Sequence, residues 1–448
     1  MLIANRGEIA VRVARACREM GIATVAVFST ADRDAVHTRV ADERVCVGPP
    51  SAEDSYLNVP ALISAGLSRG ADAVHPGYGF LAENGDFAEA CERSGLAFIG
   101  PRVRNIRLMA DKPRARRIME KAGVPVLPGS PEALADLRQV RQIAGAIGYP
   151  VLVKAAAGGG GRGMRIAAEP TALEAAFHAA CTEGEAAFGN RQVYVERYLE
   201  RARHIEVQVL GDQHRHVIHL GERDCSIQRR HQKVLEEGPA VGLDRKLRGT
   251  LARVAVKAAS AIGYTNVGTV EFLIDPEGRF YFIEMNTRVQ VEHPVTEMVT
   301  GIDIVHQGIR SAAGLPLDLR QAEIRPSGHA IECRINAESP DTQRPSAGVI
   351  TCFHAPGGLG IRVESAIAAG STVSAHYDGL IAKVIAHGAT RAQAIARMRA
   401  ALGELVVDGV ETNAPLHRRI LADPEFLRGA VPTRYLEKYD GAAERTQG

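Results

Sequence analysis

A run of glycines follows a short apolar segment and a lysine. Residues 150–153 read Pro-Val-Leu-Val, a pattern typical of a buried strand, and Lys154 precedes Gly158–Gly161. Glycines let the backbone adopt positive φ and bring its N–H groups close to phosphate oxygens, while a lysine adds positive charge. We therefore predict a nucleotide-phosphate loop over 154–164. Its spacing matches neither a P-loop nor a dinucleotide fingerprint, and a flexible linker is the alternative interpretation.

Two glutamates and an asparagine lie on a predicted hairpin. Glu271 is on one strand, residues 275–278 read Asp-Pro-Glu-Gly, and Glu284 and Asn286 are on the next strand. Strand alternation predicts that Glu284 shares a sheet face with Phe282 and Asn286. Across the hairpin, Glu271 is expected beside Glu284. Two carboxylates and an amide oxygen suit Mg²⁺, which binds a few protein oxygens plus substrate phosphates, and the alternative is a solvated strand face.

Two further segments carry dense polar and charged residues. Residues 286–297 combine a cation, an amide and two acids without the i,i+4 pairing of a solvated helix, which indicates a site in irregular chain. Residues 222–233 are strongly basic at their C-terminal end. A nucleic-acid patch is the alternative for this second segment. It contains no aromatic residue for base stacking, however, and the whole chain has a net charge of only +2.

The elements that must position these residues fall into three stretches. Residues 1–110 alternate short β-branched runs with amphipathic helices, which predicts a parallel sheet with helices on both faces. Residues 112–200 have an entry punctuated by Gly123 and Pro125, are rich in helical pattern in the middle, and would fit a small inserted lid. From about residue 203, alternating strands separated by helices predict a mostly antiparallel sheet.

Size and composition exclude several classes of protein. A chain of 448 residues exceeds one hydrophobic core, so we expect two or three domains. With 54 Lys and Arg against 52 Asp and Glu, we expect no general attraction to nucleic acid or membrane. No stretch approaches the ~20 apolar residues that span a bilayer, and the N-terminus lacks a signal-peptide pattern. Seven scattered cysteines form no disulfide framework, and we expect a cytoplasmic protein.

Several long motifs occur together in the order of one enzyme family. They include Ile-Ala-Asn-Arg-Gly-Glu-Ile-Ala at 3–10, His-Pro-Gly-Tyr-Gly-Phe-Leu at 75–81, the glycine run, residues 222–233 and 282–296, and Glu-Cys-Arg-Ile-Asn-Ala-Glu at 332–338. On these motifs the chain resembles, almost end to end, the biotin carboxylase family of ATP-grasp enzymes.

The resemblance implies an α/β and α+β architecture with the ATP-grasp fold. It implies a Rossmann-like, pre-ATP-grasp domain with a parallel sheet at 1–110. An ATP-grasp domain is expected at 111–320, including a small lid at about 125–200, and a C-terminal domain with a mostly antiparallel sheet at 321–448.

The resemblance also implies roles for individual residues. ATP contacts are implied for Lys112, Lys154, Gly159, Gly160, Gly161, Gly163, Glu196, Leu199, His204, Gln228, His231 and Leu273. Metal ligands are implied at Glu271, Glu284 and Asn286, a bicarbonate pocket at Lys233, Arg288, Gln290 and the Val291 amide, and biotin contacts at Tyr78, Gly79 and Arg334. Glu292 is then the general base, and Lys233, Arg288 and Arg334 complete the catalytic set.

The reaction implied by the resemblance is ATP-dependent carboxylation of biotin by bicarbonate, through carboxyphosphate, as the first half-reaction of an acetyl-CoA or other acyl-CoA carboxylase. Two Mg²⁺ ions are expected in the ATP complex, with Mn²⁺ as a substitute. No Ala-Met-Lys-Met-like tetrapeptide occurs in the chain, so biotin is expected on a separate biotin carboxyl carrier protein or biotinyl domain. Carboxyltransferase subunits and a homodimer are further expectations.

Two other functions are compatible with parts of the sequence. Another ATP-grasp ligase, of the carbamoyl-phosphate-synthetase or carboxylate–amine type, would turn over ATP without biotin, but it does not account for 288–292 together with 332–334. A non-catalytic nucleotide-binding module would not need every acid, base and metal ligand to be present. Many relatives have lysine where this chain has Arg197, and we expect little effect because neighbouring backbone usually makes the base contacts.

Overall fold

The structure is a computed structural model that describes residues 1–156, 163–340 and 342–440. The first strands are β1 (Leu2–Ile3), β2 (Val25–Ser29), β3 (Glu43–Gly48), β4 (Ala73–His75) and β5 (Ala97–Phe98), and the helices among and after them are α1 (Gly7–Glu19), α2 (Val36–Val40), α3 (Val59–Ser68), α4 (Gly85–Arg93) and α5 (Val103–Ala110). The strands form one sheet in the order β3-β2-β1-β4-β5, and every pairing is parallel. The parallel sheet predicted from the sequence is confirmed.

The short strand β1 lies at the centre of this sheet and contributes one residue to the hydrophobic core on each of its faces. Leu2 packs into a cluster with Leu62 of α3 and Phe87 of α4. Ile3 packs on the other side with Ile9 of α1. Because successive strand residues face opposite ways, two residues are enough to anchor helices on both faces.

A small three-stranded unit follows, with its own hydrophobic core. Helix α6 (Lys112–Lys121) precedes it and packs into the core of the large sheet described below. The elements of the small unit are α7 (Leu137–Ile147), β6 (Val151–Ala155), β7 (Met164–Ala167), α8 (Leu173–Phe188) and β8 (Val193–Arg197). The sheet order is β7-β6-β8, and both pairings are antiparallel. Val151 and Val153 of β6 and Val193 and Val195 of β8 pack against α7 and α8. Lys154 therefore projects on the opposite face of the sheet from this core.

The rest of the chain is built on a large antiparallel sheet. The strands are β9 (Arg203–Gly211), β10 (Val217–Arg229), β11 (Gln232–Gly238), β12 (Asn266–Ile274), β13 (Phe280–Asn286), β14 (His329–Asn336), β15 (Gly348–Val349), β16 (Cys352–His354), β17 (Ile361–Ser365), β18 (Thr372–Val373), β19 (Leu380–Gly388) and β20 (Val406–Asp408). The helices are α9 (Arg245–Ala261), α10 (His293–Thr300), α11 (Ile304–Ala312), α12 (Arg391–Glu404), α13 (Ala414–Ala422), α14 (Pro424–Arg428) and α15 (Glu437–Asp440).

Eight of these strands form one sheet in the order β13-β12-β9-β10-β11-β14-β19-β17. All seven neighbouring pairs are antiparallel, which confirms the prediction for the region after residue 203. Strands β15 and β18, and β16 and β20, form two-stranded sheets beside it. The sheet joins the ATP-grasp part of the sequence to its C-terminal part, because β11 pairs directly with β14.

One sequence expectation about this sheet is wrong. Glu284 lies opposite Glu271, as expected, but a β-bulge follows and brings Phe282 opposite Phe272. Phe282 and Met285 both pack into the same core, so Glu284 faces away from Phe282. A bulge inserts one extra residue and reverses the alternation, and this is not visible in residue types alone. Glu284 and Asn286 still share a face, as predicted.

Candidate active site

A cavity of about 1,210 Å³ opens between the parallel sheet, the small unit and the large sheet. Almost all of the predicted site residues contribute to its wall. These are Tyr78, Gly79, Lys112, Lys154, Glu196, Leu199, His204, Gln228, His231, Lys233, Glu271, Leu273, Glu284, Asn286, Arg288, Gln290, Val291, Glu292 and Arg334. Residues predicted from segments far apart in the chain are thus brought together in one space.

Lys154 and Met164, on either side of the glycine run in sequence, line the cavity at its end nearest the small unit. Gly159, Gly160 and Gly161 lie outside the described residues. Gly163 has φ +69°, and its N–H donates to Glu183 Oε2 at 3.0 Å. A Cβ at Gly163 would lie 2.8 Å from the Cβ of Ala155, so this position requires glycine.

Two lysines converge at the same end. Lys154, on β6, makes an ion pair with Glu196 of β8. Lys112 begins α6, and burial lowers its pKa while Glu284 opposes that shift and Lys154 adds to it. Two ammonium groups held this close repel one another, and an anion such as a triphosphate placed between them would relieve the repulsion.

Four charged residues form a row across four adjacent strands. Arg223 on β10 lies opposite Glu206 on β9, Glu206 lies opposite Glu271 on β12, and Glu271 lies opposite Glu284 on β13. Arg223 and Glu206 are fully buried. Because directly opposite residues on antiparallel strands share a sheet face, the row points to one side, toward the cavity.

The predicted metal ligands fit a hard divalent cation. Glu271 is buried, and its Oε1 accepts hydrogen bonds from Asn286 Nδ2 at 2.8 Å and Gln290 Nε2 at 2.9 Å. Glu284 is half-buried and forms no ion pair within the described part of the chain. Two carboxylates from adjacent strands and an amide two residues further on present oxygen atoms to one face, which suits Mg²⁺. His204 Nε2 lies 3.0 Å from Glu271 Oε2.

Lys233 lies among three carboxylates. Its Nζ is 2.5 Å from Glu206, 2.9 Å from Glu271 and 2.6 Å from Glu292. Burial alone would lower the pKa of Lys233, but these three carboxylates raise it well above its usual range. The ammonium group therefore stays charged at every physiological pH and neutralises a site that would otherwise repel anions.

Glu292 is held between two cations. Its Oε1 lies 2.6 Å from Lys233 Nζ and its Oε2 lies 2.9 Å from Arg334 Nη2, and the residue is only 2% exposed. Burial would raise the pKa of Glu292, but Lys233 and Arg334 hold it well below its usual range. The carboxylate is therefore ionised at neutral pH, as a proton acceptor must be.

The remaining predicted anion-binding groups lie on the irregular segment between β13 and α10. Arg288 donates from Nε to Glu83 at 2.9 Å and from Nη2 to Asn286 Oδ1 at 2.9 Å. Gln290 accepts from Arg223 at 2.7 Å. Val291 accepts through its carbonyl from Lys383 Nζ at 2.8 Å. The segment is thus tied to the sheet by side chains rather than by regular backbone pairing.

Polar groups also line two further parts of the cavity wall. Gln228 donates to His204 Nδ1 at 2.7 Å, and burial lowers the pKa of His231 at the β10–β11 turn. On the opposite wall, Tyr78 donates its hydroxyl to Glu8, and burial together with Glu8 raises the pKa of Tyr78 well above its usual range. Gly79 follows with φ +68°.

Comparison with known proteins places this geometry in a family. The biotin carboxylase N-terminal domain model matches residues 1–106, the ATP-binding domain model of the carbamoyl-phosphate synthase L chain matches 111–320, and the biotin carboxylase C-terminal domain model matches 332–438. Biotin carboxylase from Haemophilus influenzae is 54% identical over 445 residues, which are 99% of each chain. The chain belongs to the biotin carboxylase family. Biotin carboxylase from Pseudomonas aeruginosa is 56% identical over 98% of each chain.

Solved structures of biotin carboxylases agree with this assignment. The Campylobacter jejuni enzyme, in a complex with a nucleotide, has a TM-score of 0.96 and 49% identity, covering 98% of each chain. The biotin carboxylase domain of Hydrogenobacter thermophilus 2-oxoglutarate carboxylase, a dimer with MgADP, ADP and bicarbonate, has a TM-score of 0.95 and 49% identity, covering 99% of this chain and 98% of that one. The predicted family and ATP-grasp fold are therefore confirmed, and the protein is an ATP-dependent ligase that carboxylates biotin and works with a biotinyl carrier.

Sequence reasoning missed several buried charged residues that support the biotin carboxylase site. Arg223 donates to Glu206, Gln208, Thr296 and Gln290 at 2.5–2.8 Å. Buried Glu236 accepts from Arg334, and buried Lys383 donates to the Val291 carbonyl. Glu83, which is exposed, accepts from Arg288. The alternation of His204, Glu206 and Gln208 along β9 was a usable signal, because polar residues at every second position of an apolar strand mark a polar face.

Within residues 1–156, 163–340 and 342–440, every helix is too short or too polar to traverse a lipid bilayer.

Proposed function

We propose that the cavity holds MgATP near the small unit, bicarbonate around Lys233 and Arg288, and the biotin ring of a carrier protein beside Arg334. The observation that carries this proposal is the position of Glu292, 2.6 Å from Lys233 and 2.9 Å from Arg334. One ionised carboxylate lies between a cation assigned to bicarbonate and a cation assigned to biotin. It can therefore accept a proton from the first substrate next to the place where the second binds.

The chemistry follows from these positions. Glu292 takes the proton of bicarbonate while Lys233 and Arg288 hold the anion in line with the γ-phosphate. A bicarbonate oxygen bonds to the γ-phosphorus, the bond from that phosphorus to the bridging oxygen breaks, and ADP leaves. The resulting carboxyphosphate separates into CO₂ and phosphate. Phosphate takes the N1 proton of biotin, N1 bonds to CO₂, and Arg334 stabilises the negative charge that builds on the ureido oxygen.

The nucleotide is held by groups on both sides of the cavity. Lys112 and Lys154 bind the phosphates. Glu271, Glu284 and Asn286 would hold Mg²⁺ or Mn²⁺, and the bound ion would neutralise phosphate charge. Base and ribose contacts are proposed for Glu196, Leu199, His204, Gln228, His231 and Leu273. The glycine run, with Gly159, Gly160, Gly161 and Gly163, covers the phosphates and excludes water that would hydrolyse the intermediate.

We also propose the wider assembly. Three domains at 1–110, 111–320 (with a lid at about 125–200) and 321–448 agree with the spans of the three family models.

Biotin reaches the site on a separate carrier protein or biotinyl domain, and its contacts include Tyr78 and Gly79. Carboxyltransferase subunits pass the carboxyl group to acetyl-CoA or another acyl-CoA. The Hydrogenobacter thermophilus structure is of a dimer, which supports a homodimer here. Seven free cysteines support a reducing, cytoplasmic setting.

The test is the dependence of ADP release on biotin. With MgATP and bicarbonate, purified protein should release ADP only when free biotin or a biotinyl carrier is added. Glu292→Gln should lower this rate about 10²- to 10⁴-fold, the usual contribution of a general base, while ATP binding persists. Glu323→Gln, on an exposed pair with Arg320, is the control and should behave as the wild type. ADP release without biotin would favour another ATP-grasp ligase, and full biotin-dependent turnover in Glu292→Gln would remove that residue from its role.

A further inference from the structure

Two glutamates face each other beneath Arg334. Glu236 on β11 and Glu332 on β14 are register partners in an antiparallel pair, so their side chains lie on the same face of the sheet. Both residues are 0% exposed. Opposite side chains in such a pair have Cβ atoms about 5 Å apart, and like charges there destabilise the sheet. Two ionised carboxylates at these positions would repel each other without screening by water.

Arg334 can compensate only one of the two. It donates from Nε to Glu236 Oε1 at 2.6 Å, and its Nη2 lies 2.5 Å from the same oxygen and 2.9 Å from Glu292. Within the described residues, Oε2 of Glu236 and both carboxyl oxygens of Glu332 have no hydrogen-bond partner. Glu332 is therefore the member of the pair with no contacting cation.

A second cation on this face, Lys383, is already engaged. Lys383 on β19 lies opposite Arg334 and is fully buried. Its Nζ is 3.0 Å from Glu8 Oε1 and donates to the Val291 carbonyl at 2.8 Å. Lys383 lowers the energy of a negative charge on Glu332 only through space, without a hydrogen bond.

The charged groups around the pair also disfavour two ionised carboxylates at these positions. The remaining charged or titratable groups around this face include Glu8 and Arg12 of α1, Tyr78 after β4, Lys233 of β11, Glu292, His293 and Glu297 at the start of and within α10, and Arg362 and Glu364 of β17. Burial raises the pKa of Glu332 well above its usual range, with Lys383 opposing and Glu236 adding to the shift. Burial also raises the pKa of Glu236, to about 7, although Arg334 opposes the shift.

We propose that Glu332 keeps its proton in the working enzyme and that Glu236 is a positioning residue, which orients the guanidinium of Arg334 toward the biotin pocket. This inference rests on the biotin role proposed above for Arg334. A neutral Glu332 leaves a single negative charge beneath the guanidinium. That charge holds two of its donor groups in place, and the opposite edge of Arg334 remains available in the cavity. When Glu236 also becomes protonated below neutral pH, its interaction with the guanidinium of Arg334 weakens.

The kinetic test compares two adjacent residues on opposite faces of β11. Glu236→Gln should raise the KM for biotin about tenfold, because a charge-assisted contact becomes a neutral one, and leave the KM for ATP unchanged. Glu237→Gln is the matched control. Glu237 is equally buried and pairs with His329 and Arg391, so this variant should lose stability without a change in the biotin KM. If the two variants behave alike, Glu236 has only a structural role.

The pH dependence adds a readout that a purely structural contact would not give. The biotin KM of the wild type should fall as pH rises through about 7, and this dependence should disappear in Glu236→Gln. A pH-independent biotin KM in the wild type would overturn the positioning role.

Glu332→Gln tests the retained proton directly. The variant should keep kcat and both KM values within about twofold, because an amide replaces a neutral acid of the same shape. A group whose pKa is raised in the folded state makes the protein less stable as pH rises above the unfolded pKa. The wild type should therefore lose stability above about pH 4.5, and the thermal midpoint of the variant should become higher relative to that of the wild type. Difference infrared spectra at neutral pH should show a protonated-carboxyl band that Glu332→Gln lacks. A missing band, or a variant less stable at every pH, would overturn the assignment.

Arg334→Met separates this inference from the proposed function. If Arg334→Met leaves biotin kinetics intact, the biotin role of Arg334 fails. If Arg334→Met raises the biotin KM and Glu236→Gln does not, the proposed function stands and the positioning role of Glu236 is wrong.

Discussion

The Nζ atom of Lys233 lies 2.6 Å from Oε1 of Glu292, so the proposed base is paired with a cation assigned to the substrate anion. This pairing explains how a buried carboxylate stays ionised. In the complex proposed above, bicarbonate bound to Lys233 would compete with Glu292 for the ammonium group and would make that carboxylate more basic.

Replacement of Lys233 by methionine should destabilise the protein as well as inactivate it. Three carboxylates share this ammonium group, and removal of one partner from a buried ion pair costs about 3–5 kcal/mol. Urea unfolding measures the loss. Lys438→Met is the control, because Lys438 is 37% exposed beside Asp423 and Glu425 and should cost less than about 1 kcal/mol. Equal losses of unfolding free energy in the two variants would contradict the conclusion that Lys233 neutralises three buried carboxylates.

Substitution of the two glutamates proposed as metal ligands should have different effects on Mg²⁺ binding and on protein stability. Glu284→Gln should raise the Mg²⁺ concentration for half-maximal ADP release about tenfold with little change in unfolding free energy, because Glu284 is half-buried and has no ion pair among the described residues. Glu271→Gln should lose about 2–4 kcal/mol, because Glu271 is buried against Lys233 and His204. Activity titrated with Mg²⁺, beside thermal unfolding without it, measures both. An unchanged Mg²⁺ requirement in Glu284→Gln would remove it from the metal site.

Two glycine-to-alanine substitutions should change the stability of the protein in opposite directions. Gly163→Ala places a Cβ at φ +69° and 2.8 Å from Ala155, which costs about 1–2 kcal/mol for the backbone alone and should raise the KM for ATP. Gly145→Ala lies in the exposed face of α7 with open space around the new Cβ, and should stabilise the protein by about 0.5–1 kcal/mol. Thermal midpoints and ATP kinetics of both variants provide the test. Loss of stability in Gly145→Ala would refute the packing described for α7.

His37 should make the N-terminal sheet sensitive to acid. It is fully buried, its Nε2 lies 3.2 Å from the Val27 carbonyl, and burial lowers its pKa to about 4, with Asp32 opposing the shift. A depressed pKa contributes stability that is present above the unfolded value of 6.5 and is lost as pH falls toward the folded value. Relative to His37→Gln, the wild type should therefore lose about 2 kcal/mol from about pH 7 to about pH 5. Urea unfolding of both proteins at the two pH values measures the difference, and equal pH dependence in the two would contradict the role given to His37.

Local pattern was enough to predict the main elements. The parallel first sheet followed from β-branched runs between amphipathic helices, and the β12–β13 hairpin followed from Glu271, the turn at 275–278 and Glu284. These features depend on residues within one or two turns of each other, so periodicity and turn chemistry encode them directly. The bulge that turns Glu284 away from Phe282 escaped prediction, because it comes from packing both Phe282 and Met285 into one core.

The sequence by itself determined the chemical inventory of the site and the family to which it belongs, because long motifs keep their residue types in order. Tertiary structure alone decided which charges meet. Arg223, Glu206 and Glu271 come from three strands and are joined by register, and Glu236 meets Glu332 across nearly one hundred residues of chain. Strand register and burial depend on the whole sheet, and they set the field in which each carboxylate holds or releases its proton.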